Sequence, residues 1–209
     1  MCALALGCGG DSEVRCDPQN NGTLMVQLAG GNVVYPAFTA DYLSAELKPW
    51  TLRSAGDADS AWWIRLYASG YGSGSDISSV SFSLVGPPVA GQTYSLSHLD
   101  YTTVNGENLL SPDQRIGNGD ARFNESADVD RNWRTDPCLG SAGACSYPSM
   151  GSLTIDSSTR AKGGYRDVRV TVQTTLAPVG TTAQGEITLA VTGTFNGVCE
   201  VPCDSISCN

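Results

Sequence analysis

Ser95, Ser97, His98 and Asp100 crowd one short stretch. They are the residue types with which a hydrolase builds a nucleophile, a base and a carboxylate that orients the base. Types alone do not make the site. Side chains so close along one strand cannot converge, and the chain has no Gly-x-Ser-x-Gly elbow to lift a serine toward a base. His98, the sole histidine, is therefore expected to be a surface or packing residue. A denser set of oxygen ligands runs from Asn118 to Asn132. Asp128-x-Asp130-x-Asn132 has the alternation by which calcium loops turn successive carboxylates toward a cation, and Asp120 lies upstream. Trp133 stands where an EF-hand needs glycine, and Leu139 where it needs glutamate. The expectation is either an irregular calcium site drawing on Asp120, Asp128, Asp130 and Asn132, or a solvated acidic loop. Calcium is the one cofactor these residues suggest, and none is required.

Indole rings offer a third kind of chemistry. Trp50, Trp62 and Trp133 are the candidate sugar platforms, because an exposed ring stacks on a pyranose face while nearby Asp and Asn groups bind its hydroxyls. Trp62 and Trp63 are adjacent, so in a strand they point to opposite faces and one of them fills the core. A glycoside hydrolase would need only two carboxylates, and the chain has many pairs to choose from. The glycine-rich run Gly70-Tyr71-Gly72-Ser73-Gly74-Ser75 has no Lys-Ser/Thr after it and reads as a hairpin loop rather than a phosphate cradle.

The elements that must position these residues are strands. Val168, Val170, Val172, Thr174 and Leu176 alternate with Arg169, Thr171, Gln173 and Thr175, the period of a half-buried strand. Ile187, Leu189 and Val191 repeat it, as do Val80, Phe82 and Leu84. Gly151 to Ile155 and Ala61 to Tyr67 add two more strands. Thr23 to Ala29, the turn cluster Gly30-Gly31-Asn32 and Val33-Val34-Tyr35 together predict a hairpin. Only Tyr42 to Leu47 suggests a helical turn or two. Many short strands between Gly, Pro and Ser turns predict an all-β fold, a single antiparallel β-sandwich of jelly-roll type, with an irregular barrel as the alternative.

The 209 residues suit one well-buried core. A net charge of -9 disfavours nucleic acid or bare anionic lipid as a partner, since both call for a positive surface. No later apolar stretch approaches the roughly 20 residues of a transmembrane helix.

The run Ala3-Leu4-Ala5-Leu6-Gly7-Cys8-Gly9-Gly10 resembles the end of a bacterial lipoprotein signal peptide. In that family the chain is cut before the cysteine, and the new N-terminal thiol carries a diacylglycerol. The resemblance implies a signal remnant over 1-7, a lipidated Cys8 with a flexible tether over 8-22, and the β-domain over 23-209. The residues before Cys8 include no Lys or Arg, so the full signal is expected to start further upstream. Gly9 after the lipidated cysteine implies the outer membrane. Losing Cys2 with the signal and committing Cys8 to lipid leaves 8 − 2 = 6 cysteines, an even number suited to disulfides outside the cytosol. Cys138 and Cys145 could close a local loop, and Cys16 could pair with Cys199, Cys203 or Cys208. Zinc is the competing use of the last three, without a histidine or a second tight pair to complete it. The order Gly91-Gln-Thr-Tyr94-Ser-Leu96, Gly151-Ser-Leu-Thr-Ile155 and Gly193-Thr-Phe195-Asn-Gly197 resembles a loose pattern in uncharacterised bacterial lipoproteins and implies no activity.

The sequence thus predicts a membrane-anchored, disulfide-supported envelope protein, a non-enzymatic binding or structural module whose partner is a glycan or an envelope protein. A carbohydrate-binding module with a calcium-stabilised loop is the alternative, and a glycoside hydrolase the third.

Overall fold

The computed structural model describes residues 21–40, 42–52, 60–71, 77–86, 88–99, 101–104, 107–110, 117–126, 130–136, 150–160, 165–179 and 181–200. All of the regular structure among them is β. The chain runs through β1 (Asn21–Gly30), β2 (Ala37–Ala40), β3 (Tyr42–Leu52), β4 (Ser60–Tyr71), β5 (Ile77–Val85) and β6 (Thr93–Leu96). It continues through β7 (Tyr101–Val104), β8 (Glu107–Leu110), β9 (Asn118–Ser126) and β10 (Asp130–Arg134), and ends in β11 (Gly151–Arg160), β12 (Tyr165–Val179) and β13 (Ile187–Glu200).

Hydrogen bonds join these strands into one sheet in the order β2-β1-β13-β12-β11-β6-β9-β5-β4-β3-β8-β7. The sheet closes on itself twice. At one place β13 lies parallel to β3 through Cys199–Glu46 and Glu200–Leu47. At the other, β10 bridges β9 and β12, so that β6, β9, β10, β12 and β11 form a small ring of their own. The sandwich expectation supposed two separate sheets; closure of one continuous sheet is what the ladders show, and it leaves fewer strand edges open. Alternation explains why the strands bend inward. In β5, Val80, Phe82 and Leu84 are fully buried while Ser79, Ser81 and Ser83 are half-exposed, and β12 repeats this with Val168, Val170 and Val172. The inward residues of the ring make one apolar cluster.

Three local readings are corrected by the pairing. Tyr42 to Leu47 is not a helical turn: it belongs to β3, which is antiparallel to β4 from Tyr42–Ser69 to Thr51–Ser60. Ladder hydrogen bonds along that whole length override a weak local preference. Val33-Val34-Tyr35 is not the return strand of the first hairpin; β2 is, with Gln27 opposite Ala37 and Leu24 opposite Ala40. The turn after β1 needs Gly30 and Gly31 at φ 93 and 56, a region that disfavours any side chain. The polar stretch Asn118 to Asn132 is not a loop but largely the hairpin β9–β10, with Arg122 opposite Arg134 and Asn124 opposite Asn132. β1 also begins at Asn21, inside the segment expected as tether.

Glu125 closes one end of the barrel. It has no solvent exposure, and its Oε1 accepts from the Val34 and Tyr35 amides at 3.0 and 2.9 Å. Its Oε2 accepts from Arg131 Nη1 at 3.3 Å. The loop between β1 and β2 is thereby tied to β9 and β10. Asn32 ties the same loop to the β12–β13 connection, donating to the Thr182 carbonyl and accepting from the Gln184 amide. On the next strand inward, Trp133 stacks on Phe123 at 5.6 Å and Phe123 on Phe38 at 6.3 Å.

Tyr94 makes the core pH-sensitive at the alkaline end. Its ring is fully buried in β6, and burial pushes its phenol well above the ordinary value of 10.0. The neutral phenol is thus favoured in the folded state. The unfolded chain loses that proton first, near pH 10, so the stability is intact below that pH and declines as pH rises through it. The expected loss is up to about 1.4 kcal/mol for each pH unit above 10. Urea titrations at pH 9, 10 and 11 check this: Tyr94→Phe should show a shallower decline than the parent, and parallel curves would contradict it.

Candidate functional site

His98 does have a carboxylate beside it, but not the expected one. Its Nδ1 lies 2.6 Å from Asp136 Oδ2, with Asp136 nearly buried and His98 about one-fifth exposed. Asp136 follows the end of β10, far along the chain from His98, so no local pattern could have paired them. Asp100 lies outside the described residues. The pair sits where the small ring opens. There the Thr135 hydroxyl donates to the Ser97 carbonyl at 2.6 Å and accepts from the Ala121 amide at 3.0 Å. The Ser97 amide in turn reaches the Gly119 carbonyl at 2.8 Å. An imidazole held at one nitrogen by a carboxylate is a general-base unit once a nucleophile and a substrate pocket are supplied. Ser95 stands in β6 with its backbone paired opposite Ser152 and Asn118. The pair joins the segment after β6 to the end of β10.

The hairpin sets Asp120 apart from the other calcium candidates. Asp120 accepts from Arg122 Nε and Nη2 through Oδ2 at 3.0 and 2.9 Å, and from the Ser83 amide through Oδ1 at 3.2 Å. Its carboxylate is thus fully engaged at the start of β9. Asn132 lies opposite Asn124, four positions further along β9, or roughly 13 Å away at the rise of a strand. One cation cannot be shared over that distance. Asp130 is in β10 opposite Ser126, and Asp128 lies outside the described residues. Among the described residues no three His, Cys, Asp or Glu side chains gather to hold a metal.

Of the tryptophans, Trp133 is fully buried and its Nε1 donates to the Gly185 carbonyl at 3.0 Å, so it presents no ring face to a sugar. This corrects the platform expectation for Trp133. Trp50 and Trp62 lie on paired strands, Trp50 opposite Ala61 and Trp62 opposite Pro49. Their side chains fall outside what is described. So do Cys8, Cys16, Cys138, Cys145, Cys203 and Cys208 altogether, while Cys199 is placed in β13 opposite Tyr165.

The surface that stands out was not sought in the sequence. Across six adjacent strands, Thr39, Met25, Thr192, Thr171, Thr154 and Thr93 form one row of directly opposed residues. The next row is Ala37, Gln27, Ala190, Gln173, Ser152 and Ser95. Their side chains lie on the solvent side of β2, β1, β13, β12, β11 and β6, exposed or half-exposed. Neither row contains a charge, in a chain with 12 basic and 21 acidic residues. A hollow of about 410 Å³ opens on this face between β1, β2 and β13, lined by Gln27, Leu28, Ala29, Pro36, Ala37 and Thr188 among others. Threonine suits the wet side of a strand because its branched Cβ fits the pleat, and this by itself accounts for single threonines. It does not account for the hollow; charge returns in the next row, where Arg169 and Asp156 are exposed beside Thr171. Thr171 and Gln173 were legible as the wet side of a strand; their alignment with residues 17 to 146 positions away in sequence was not, because register is a tertiary property.

Comparison with family models, with curated proteins and with solved structures finds no match to this chain. The reading of function therefore rests on the residues and their arrangement.

Proposed function

We propose that this chain is an exported bacterial envelope lipoprotein, anchored through lipid on Cys8 at the outer membrane, and that it acts there as a non-enzymatic binding module. The observation that carries the binding part is the hollow of about 410 Å³ between β1, β2 and β13, beside two rows of uncharged, outward residues that run across six strands. A built concavity on a broad uniform face is the ordinary form of a recognition surface. The export part is supported by the apolar run that ends at Cys8 and by the even complement Cys16, Cys138, Cys145, Cys199, Cys203 and Cys208. In this reading those six form three disulfides, each adding about 2–4 kcal/mol by restricting the unfolded chain.

The test is the intact mass of the protein purified without reductant from its native host. The expected mass starts at Cys8, carries acyl chains and lacks six hydrogens. An unlipidated chain with free thiols removes both anchor and export. In parallel, the purified protein should be retained by an envelope fraction or an envelope polymer; retention by none would remove the binding role.

A further inference from the structure

Resting on the anchored reading, we propose that the end of the barrel from which β1 starts sits on the headgroup layer of the membrane that holds Cys8, with Trp50, Trp62 and Trp63 on the contacting hairpin. The ladders bring several elements to that end. Asn21, the first residue of β1, is opposite Asn196, near the close of β13. Tyr165 is opposite Cys199 and Arg160 opposite Arg166, so the β11–β12 connection turns at the same end. β3 runs parallel to β13 at Cys199–Glu46 and Glu200–Leu47, and it continues to Leu52. The tip of the β3–β4 hairpin therefore extends past the last pairing of β13. Trp50 opposite Ala61, Trp62 opposite Pro49 and Trp63 opposite Lys48 are rungs of that tip. Three of the chain's four tryptophans thus stand on one projection beside the start of β1.

Tryptophan collects where a bilayer meets water, because its ring is apolar while its N–H needs a polar partner. Charge agrees with this placement. Residues 46–63, 160–169 and 196–200 hold six basic groups, Lys48, Arg53, Arg160, Lys162, Arg166 and Arg169, against five acidic ones, so 6 − 5 = +1. The remainder of the chain then carries −9 − 1 = −10. An anionic headgroup layer repels that remainder and not this end. The anchor supplies proximity. From Cys8 to Asn21 is 13 residues, at most about 45 Å fully extended, and a coil of that length averages about 20 Å. A lipid on Cys8 therefore keeps the start of β1 near the headgroups, while the other end of β1 lies about 30 Å further out. The hollow lined by Gln27, Ala29, Pro36 and Ala37 is toward that outer end, so docking leaves it open.

The test is the tryptophan emission of the acylated full chain in vesicles of phosphatidylethanolamine and phosphatidylglycerol whose acyl chains carry bromine. Bromine quenches an indole only on close approach. Relative to unbrominated vesicles, about half of the emission should be lost, since three tryptophans lie on the hairpin and the enclosed Trp133 stands toward the far end of β12. Arg166→Glu should lower the quenching severalfold by setting a carboxylate against the lipid phosphates. Thr181→Glu combined with Gln184→Glu makes the same change in charge at exposed positions between β12 and β13, at the far end, and should leave the quenching as it was. Thermal melts confirm that each variant is folded. A chain that floats with the vesicles yet stays unquenched overturns the docking and leaves the anchor standing. Quenching that survives Arg166→Glu, or falls equally with the far-end pair, puts the contact elsewhere and overturns the proposal. A chain that carries no acyl group and does not float removes the anchored reading and this proposal together.

Discussion

Glu125→Gln is expected to lower the unfolding free energy by about 3 kcal/mol, among the largest effects of any single polar substitution here. The carboxylate has no exposure, and all of its partners come from protein: the Val34 and Tyr35 amides and the Arg131 guanidinium. Glutamine offers one acceptor oxygen where two are used, and it sets an amide NH₂ against donors. Hydrogen bonds to a charged acceptor are worth roughly 1.5–3 kcal/mol, and part of that is lost for each amide. Arg131 also loses its counter-charge. Its side chain is 19% exposed and reaches water, which holds the total below the upper end of the range for fully buried pairs. Arg131→Met should cost at least as much as Glu125→Gln, because it leaves a carboxylate with no solvent exposure held by two amides and without a counter-charge. Urea unfolding measures both. A change below about 0.5 kcal/mol for Glu125→Gln would show that the loop between β1 and β2 is not held through this group.

Trp133→Ala is expected to cost about 3–5 kcal/mol, the scale for removing a large ring from a packed core. The ring is fully enclosed and forms the inner end of the stack Trp133–Phe123–Phe38, which joins β10, β9 and β2. Trp133→Phe separates the two contributions. It keeps most of the stack but removes the donor to the Gly185 carbonyl, a group exposed enough to turn to water, so about 1–1.5 kcal/mol is expected. Thermal melts and urea titrations of the pair give both numbers. A cost below about 0.5 kcal/mol for Trp133→Ala would contradict the burial of the ring.

These two residues also show why part of the site was not legible. Glu125 and Trp133 lie on the inward faces of β9 and β10, but a glutamate at an inward position breaks the alternation by which a buried strand is recognised. Asn118 to Asn132 therefore reads as an acidic loop until the neighbouring strands supply amides and an arginine to satisfy that carboxylate. The His98–Asp136 pair has the same origin: two segments distant in sequence are brought together by the bridging of β9 and β12 through β10.

The all-β character is legible in the chain alone, because period-two alternation in β5, β12 and β13 states which side of each strand is buried without reference to any partner. So is the acidic balance. Tertiary structure alone decided that β10 bridges a small ring, that β13 meets β3, and that threonines from β2, β13, β12, β11 and β6 fall into a single row. Alternation fixes a strand's faces, whereas register and neighbours are fixed by hydrogen-bond ladders and packing between residues far apart in the chain, and no local pattern encodes those.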